Sequence, residues 1–416
     1  MTDTGPVAPR LLSLPREEEL APLRRGDRVG DYVVERVLGT GSFSRVALAR
    51  LAKGKDLEQR VLSPSHARAP SRDAGTDGGL VALKLLLKKT CEANERMRIS
   101  VMREVEVLKN IQHPSLVSLS SSFSTPVYTA LVLDYCPGGE LFDFLADWHA
   151  QVSEGLARRM FGELCSAVGW MHEIGLVHRD IKLENILLTC RPFPCASPSS
   201  LLSSLPSPFV KLTDFGLSRF INPASPLLAT RCGSEEYAAP ELIMGKKYDG
   251  RQTDAWALGV VLFAIITGVM PFVESTDAAV VGPRGRKAYL LKIAKADYRW
   301  PGSLCLSRAS SLSASTPAKP SHLSHGASAS DSGVILPSLD APPPPSARLV
   351  TPAVQVLVGR LLVRDPAKRA TVRDVWEAEW MDGEGRPPRL RGTVKSQGGA
   401  AAMPEWSRRG SEFLDD

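Results

Sequence analysis

Between Val177 and Leu188 the chain reads VHRDIKLENILL. His178, Arg179, Asp180, Lys182, Glu184 and Asn185 stand among apolar residues, and a buried strand does not usually tolerate so many charges. Three further short stretches carry groups of the same kind. GTGSF at 39–43 lies between two strand-like runs, and glycines there let the backbone bring N–H donors close to phosphate oxygens. Alone, such a pair is more often an ordinary hairpin turn. Lys84 sits inside VALK, either as an edge residue with its head in water or as a cation reaching inward to phosphates. Glu104, on the following helix candidate, could supply a carboxylate to steady it. Asp214-Phe215-Gly216 follows FVKLT, either as a plain turn or as a carboxylate placed to hold Mg²⁺.

These residues need elements to position them. YVVERVLGTGSFSRV (32–46) alternates in strand fashion around its glycine turn, and Leu80–Leu87 fits a strand or a short buried helix. Val101, Val105, Leu108 and Ile111 have helical spacing, so a helix is expected over 98–111. Thr129–Tyr135 reads as a strand, and after PGG (137–139) the character turns helical. Residues 52–79 have loop composition. Residues 191–208 and 303–347 are rich in Ser and Pro and are expected to be disordered insertions, because they bury too little apolar surface to offset chain entropy. Helical spacing resumes over 350–363. Residues 1–25 read as a disordered arm and 384–416 as a flexible tail. No internal repeat is visible.

Composition narrows the function classes. The 416 residues are 43% hydrophobic, enough for a substantial core, and the net charge is +6, from 51 basic and 45 acidic residues. That balance is too mild to argue for a nucleic-acid partner. The seven cysteines show no metal-like or disulfide-like spacing, which fits a reduced, intracellular protein. The N-terminal twenty residues lack an apolar core of signal-peptide type. The uncharged run 255–273 is long enough to span a bilayer or to form a core helix buried on all sides.

Taken in order, GTGSFSRV (39–46), VALK (81–84), Glu104, HRDIKLEN (178–185), DFG (214–216) and APE (239–241) resemble the protein-kinase family. Asp254, Trp256 and Gly259 of DAWALG and Arg369 of RDPAKR match as well. The resemblance covers roughly residues 30–383. It implies an α+β, bilobal fold, with a kinase domain over 26–383, a β-rich small lobe over 26–136 and a helical large lobe over 137–383. The 255–273 run becomes the buried central helix of the large lobe, so no membrane span is expected. Asp254 at its start would hold the backbone of the catalytic loop.

The resemblance also assigns roles, with ATP and Mg²⁺ as cofactors. Asp180 would accept or orient the proton of the substrate hydroxyl. Lys182 would offset charge on the transferred phosphoryl group. Asn185 and Asp214 would hold Mg²⁺, and Lys84 and Glu104 would pair over the phosphates. His178 would bridge to backbone near DFG. Leu38, Gly39, Thr40, Gly41, Ser42 and Phe43 would cover the nucleotide, although Ser44 stands where the third glycine is usual. Val46, Ala82 and Leu187 would sandwich the purine. Leu133 would be the gatekeeper, the Asp134 and Cys136 backbones would bind adenine, and Glu140 would meet the ribose.

TRCGSEEYAAPE (230–241) is similar to the calcium/calmodulin-kinase-like group, with the AMP-activated and sucrose-nonfermenting kinases among its relatives. The stretch 245–272 looks especially like fungal members. Lys182 and Ser234 are serine/threonine-kinase choices. Thr230 sits where that group is phosphorylated by an upstream kinase, and Arg179 would receive the phosphate. Glu140 and Glu184 imply protein substrates with a modest preference for an upstream Arg. A third acidic position used by strongly basophilic relatives maps to Ala264. The run APPPPS (341–346) would suit an SH3- or WW-type partner, with a solvated linker as the plainer reading. The expected location is cytoplasmic, with access to the nucleus.

Overall fold

The computed structural model describes residues 22–41, 44–52, 79–193, 201–222, 224–273, 282–301 and 349–394. The described residues fall into two compact units. One holds those up to Ala93 together with Ser120–Tyr135; the other holds Asn94–Leu119 and everything from Cys136 onward.

The first unit is built on a six-stranded sheet. Its order is Arg28–Val29, Tyr32–Thr40, Ser44–Leu51, Leu80–Leu87, Tyr128–Leu133 and Leu119–Ser124. Period-two patterning selects the buried face: Tyr32, Val34, Ala47, Ala49, Leu83, Leu85, Ala130 and Val132 form one apolar cluster. Each buried Val or Leu contributes roughly 1.5–3 kcal/mol. Register then dictates the other face. Val46 pairs with Lys84, and Lys84 with Leu131 and Ala82 with Leu133. Directly paired residues share a face, so Val46, Ala82, Lys84 and Leu133 lie together, opposite the Leu83–Leu85 core. Leu80–Leu87 is therefore a strand. At the hairpin end, the Gly41 N–H donates to Ser44 O at 2.8 Å. Ser42 and Phe43 lie outside the described residues.

The second unit packs helices around Gly250–Thr267, whose residues from Thr253 to Thr267 are all buried. Its N-cap Asp249 accepts from Arg251 N, and Gly268 ends it at φ 74°. Gly259 lets Pro352–Leu361 approach, since a Cβ there would stand 2.9 Å from Leu361 Cβ. Alongside runs Glu154–Glu173, capped by Ser153. No described helix is long and apolar enough to cross a membrane. Short strands frame the loops that follow: Leu176–Val177 pairs with Arg219–Phe220, and Ile186–Leu188 pairs with both Val210–Leu212 and Gly139–Glu140.

Three boundaries differ from expectation. The helix Glu95–Asn110 belongs to the second unit rather than to the sheet unit. Within 191–208, residues 191–193 and 201–208 pack on the second unit instead of being disordered. Phe193 stacks on Trp148 and Phe144 with centroids 5.7 and 6.1 Å apart. Arg159 donates to Leu202 O at 2.8 Å, while Glu163 accepts from the N–H groups of Phe209 and Val210. The Ser/Pro average concealed a few apolar anchors and an arginine 43 residues away in sequence. The flexible tail also starts later, because residues 384–394 are docked: Thr393–Val394 pairs antiparallel with Ile111–Gln112. The insertion 303–347, nearly all of 52–79 and the tail beyond 394 lie outside the described residues.

Candidate active site

The loop His178–Asn185 is held from below by one buried carboxylate. Asp254 accepts the His178 N–H on Oδ2 at 2.9 Å and the Arg179 N–H on Oδ1 at 2.8 Å, and His172 Nε2 approaches Oδ2 at 2.9 Å. Arg179 has φ 69°. That conformation costs a non-glycine residue roughly 1–2 kcal/mol, and the two charge-assisted bonds beside it offset the strain. Asp254, in the second turn of the central helix, thus holds the loop backbone as the resemblance implied.

His178 joins this loop to the DFG segment. Its Nδ1 accepts the Asp180 N–H at 3.3 Å, so Nε2 carries the proton and donates to Thr213 O at 3.1 Å. Burial pushes the imidazole below its usual range and keeps it neutral. Phe215 is fully buried and meets the His178 ring edge-on at 5.5 Å. Ser100, on the 95–110 helix, donates to Gly216 O at 2.8 Å. Asp214 takes φ 66°.

Asp180 is the hub of a polar knot. Its Oδ1 accepts from Ser234 N at 2.9 Å and from Ser234 Oγ at 3.1 Å. Its Oδ2 receives Lys182 Nζ at 2.9 Å and Asn185 Nδ2 at 3.1 Å. Lys182 also donates to Ser234 Oγ at 3.0 Å. Burial opposes the ammonium charge on Lys182, but Asp180, Glu184 and Asp214 outweigh it and raise its pKa. Asn185 spends its amide N–H groups on Asp180, on the backbone oxygen at 2.8 Å and on Oδ2. That leaves its carbonyl oxygen available to a hard cation. Together with the Asp214 carboxylate it would offer the oxygen-only donors that suit Mg²⁺.

A second cluster is cationic. Burial lowers the pKa of Arg103, and the charges of Arg179 and Arg219 lower it further. Arg103 Nη2 is buried without a hydrogen-bond partner among the described residues. Arg179 donates Nε to Leu217 O at 2.7 Å and Nη1 to Tyr248 Oη at 3.4 Å, and Tyr248 donates to Thr230 O at 2.8 Å. The Thr230 residue itself is exposed. Arg103 and Arg219 escaped the sequence reading. Arg103 directly precedes Glu104 and Arg219 lies five residues after Asp214, but only folding shows that the charges of Arg179 and Arg219 are felt at Arg103. Ser234, read as a subgroup character only, likewise proves to be a direct partner of Asp180.

The remaining site residues divide between the units. Leu38, Gly39, Thr40, Gly41, Val46, Ala82, Lys84, Leu133 and Asp134 belong to the sheet unit. Glu104, Cys136, Glu140 and Leu187 belong to the second. Glu104 is buried on the 95–110 helix. Leu187 pairs directly with Glu140. Burial raises the pKa of Glu140, Asp143 and Glu184 raise it further, and Lys182 opposes them. Ala264, where strongly basophilic relatives carry a third acid, is buried within the central helix.

Residues 72–381 match the family described as Protein kinase domain. The chain belongs to the protein kinase family. Its α+β architecture and two units are those of the bilobal kinase fold, and family members use ATP and Mg²⁺. The serine/threonine-protein kinase ppk27 of Schizosaccharomyces pombe is 35% identical over 225 residues, covering 54% of this chain and 54% of that protein. The serine/threonine-protein kinase SIK1 of Mus musculus is 36% identical over 245 residues, 59% of this chain and 26% of its own length. Putative CBL-interacting protein kinase 27 of Oryza sativa subsp. japonica is 37% identical over 250 residues, 60% of this chain and 52% of its own. The matched stretch of this kinase thus spans about half of the yeast and rice proteins and about a quarter of the mouse one. These relatives agree with the calcium/calmodulin-kinase-like character of TRCGSEEYAAPE.

Proposed function

We propose that this kinase transfers the γ-phosphoryl group of Mg²⁺-bound ATP to Ser and Thr hydroxyls of protein substrates. The observation that carries this reading is the Asp180 carboxylate, with one oxygen on Ser234 of the activation segment and the other on Lys182 and Asn185. ATP supplies the transferable group and Mg²⁺ neutralises its phosphates. The rest is positioning and electrostatics. Asp180 accepts the proton of the incoming hydroxyl. Lys182, already bonded to Asp180 and Ser234, places a cation beside the oxygens that gain negative charge. Asn185 Oδ1 and the Asp214 carboxylate would hold the metal. Lys84, with Val46 and Ala82 on its sheet face, is assigned to the nucleotide with Glu104 as its partner. The purified full chain, incubated with Mg²⁺-ATP and a degenerate Ser/Thr/Tyr peptide library, should give phosphoserine and phosphothreonine by mass spectrometry. Phosphotyrosine alone, or no transfer, overturns the reading.

Activation by phosphorylation at Thr230 is part of the proposal. A phosphate adds about −1.5 to −2 charge and three acceptor oxygens. Arg103, with its unpartnered buried nitrogen, and the nearby charges of Arg179 and Arg219 support an anion at this place. The Thr230→Ala variant should be several-fold less active than phosphorylated parent protein, and phosphatase treatment should lower the parent to the same level. In an Arg103→Ala chain the phosphatase should matter much less. Equal turnover of phosphorylated and dephosphorylated parent rules the switch out.

Substrates carrying an upstream Arg are assigned to Glu140 and Glu184. Because burial and the neighbouring acids raise the Glu140 pKa, its carboxylate protonates at a higher pH than an ordinary Glu, whose value is near 4.5. The sign follows: the advantage of Arg-containing peptides in kcat/KM is full at neutral pH and fades as pH falls toward that raised pKa. Glu140→Gln should abolish that fading and equalise Arg and Ala peptides at pH 7. A pH-independent preference in the parent excludes Glu140 as its source. An activating kinase upstream, a cytoplasmic location supported by the cysteine spacing, and an SH3- or WW-type partner for APPPPS complete the proposal.

A further inference from the structure

We infer that residues 384–394 form a strap that positions the Glu104-bearing helix, and so belong to the catalytic unit rather than to a tail. The family match ends at 381, yet the chain beyond it stays on the second unit. Arg158 donates Nε to Trp380 O at 2.6 Å and Nη1 to Glu384 O. Gly385, at φ 84°, lies so close to Gly155 that a Cβ would stand 2.0 Å from its carbonyl oxygen. Leu390 is gripped on both sides of its peptide group. Its N–H donates to Ser166 Oγ at 2.7 Å, and its carbonyl accepts from Ser166 Oγ at 3.0 Å and from His113 Nε2 at 3.2 Å. His113 Nδ1 accepts the Ser115 N–H at 3.0 Å, so the proton on Nε2 is the one given to Leu390. Trp170 stacks on the His113 ring at 5.6 Å. At Gly392 there is no room for a side chain: a Cβ would meet Gln112 O at 2.4 Å and Trp170 Cε2 at 2.6 Å.

The strap then adds a strand where the helix stops. Thr393 pairs with Gln112 and Val394 with Ile111, and Ile111 is the C-cap of the 95–110 helix, its N–H bonded to Val107 O. Glu104 lies about two turns before that cap. The buried residues of this helix are Glu104, Val107 and Leu108. Two buried apolar side chains are a slender anchor, since helices in proteins owe most of their stability to a packed apolar face. The main-chain pairing at Ile111–Gln112 and the His113–Leu390 bond restrain its C-terminal end and tie it to the Glu154–Glu173 helix, which carries Ser166 and Trp170. A strap that lets go would free the helix to shift along its axis and carry Glu104 with it.

The consequence for turnover rests on the proposed kinase function; the restraint on the helix does not, and the test separates them. Full-length Gly392→Val and Thr393→Pro chains would be compared with the parent in three measurements: amide hydrogen exchange, MgADP affinity by calorimetry, and peptide kinetics. Faster exchange is expected at 105–112, with MgADP binding weakened and kcat lowered several-fold, and with the peptide KM and the unfolding midpoint little changed. Faster exchange at 393–394 with unchanged exchange at 105–112 and unchanged kcat overturns the inference. If both chains fail to unfold cooperatively, His113 decides. His113→Ala should lower kcat, and His113→Gln, whose amide can donate to Leu390 O, should restore it; equal activity of Ala, Gln and parent overturns it. A parent that transfers no phosphate refutes the kinase function alone, and the strap then stands or falls on exchange at 105–112.

Discussion

Asp180→Asn should lower kcat by about 10²–10⁴-fold, the usual contribution of a positioned general base, while MgADP binds as tightly as to the parent. The separation follows from the contacts. Asn has nearly the shape of Asp, and its single oxygen can still accept from Ser234 or from Lys182. The loop stays in place because its backbone hangs on Asp254, not on Asp180. What disappears is the second acceptor oxygen and the negative charge that receives a hydroxyl proton. Single-turnover kinetics and calorimetry on the same preparation check both halves. A mutant that retains parental kcat removes Asp180 from the chemistry. A mutant that loses nucleotide affinity equally points to collapse of the loop instead.

The second large effect is on stability. Glu241 and Arg369 form a two-pronged ion pair at 2.7 and 2.9 Å, with 0% of the Arg and 4% of the Glu side chain exposed. Arg369 also donates to Val363 O at 3.0 Å and Gln252 O at 2.7 Å, and lies over the Trp256 ring at 5.1 Å. Glu241→Ala leaves the guanidinium buried with no counter-charge, a change that costs about 3–5 kcal/mol. Against a total stability of about 5–15 kcal/mol that is a large fraction, and it should lower Tm by on the order of 5–10 °C. Pairing Glu241→Leu with Arg369→Met should recover much of the loss, because the desolvation of two charges is relieved together. A Glu241→Ala chain with parental Tm would show that water reaches the site and that the pair contributes little.

By itself, the sequence singled out the residues proposed to carry the chemistry. Asp180, Lys182, Asn185, Asp214, Lys84 and Glu104 are legible because each chemical role admits few residue types and the motifs keep their order. The order of the motifs also marked the uncharged run 255–273 as a core helix, a choice that hydropathy alone left open, whereas sheet pairing made 80–87 a strand with Leu83 and Leu85 opposite Lys84. Tertiary structure alone decided what depends on distance through space. The approach of Arg179 and Arg219 to Arg103 joins a catalytic loop and a strand to a helix that no local pattern connects to them. Ser234 reaches Asp180 across 54 positions, and a backbone N–H donor of that kind leaves no mark in residue type. The docking of 191–193, 201–208 and 384–394 was hidden for a related reason. Composition reports what a segment can bury on its own, whereas 191–193 is anchored by the single ring of Phe193, and 201–208 and 384–394 are held by Arg158, Arg159, Glu163, Ser166 and His113, side chains of the unit they lie on, which bond main-chain groups whatever the residue that carries them.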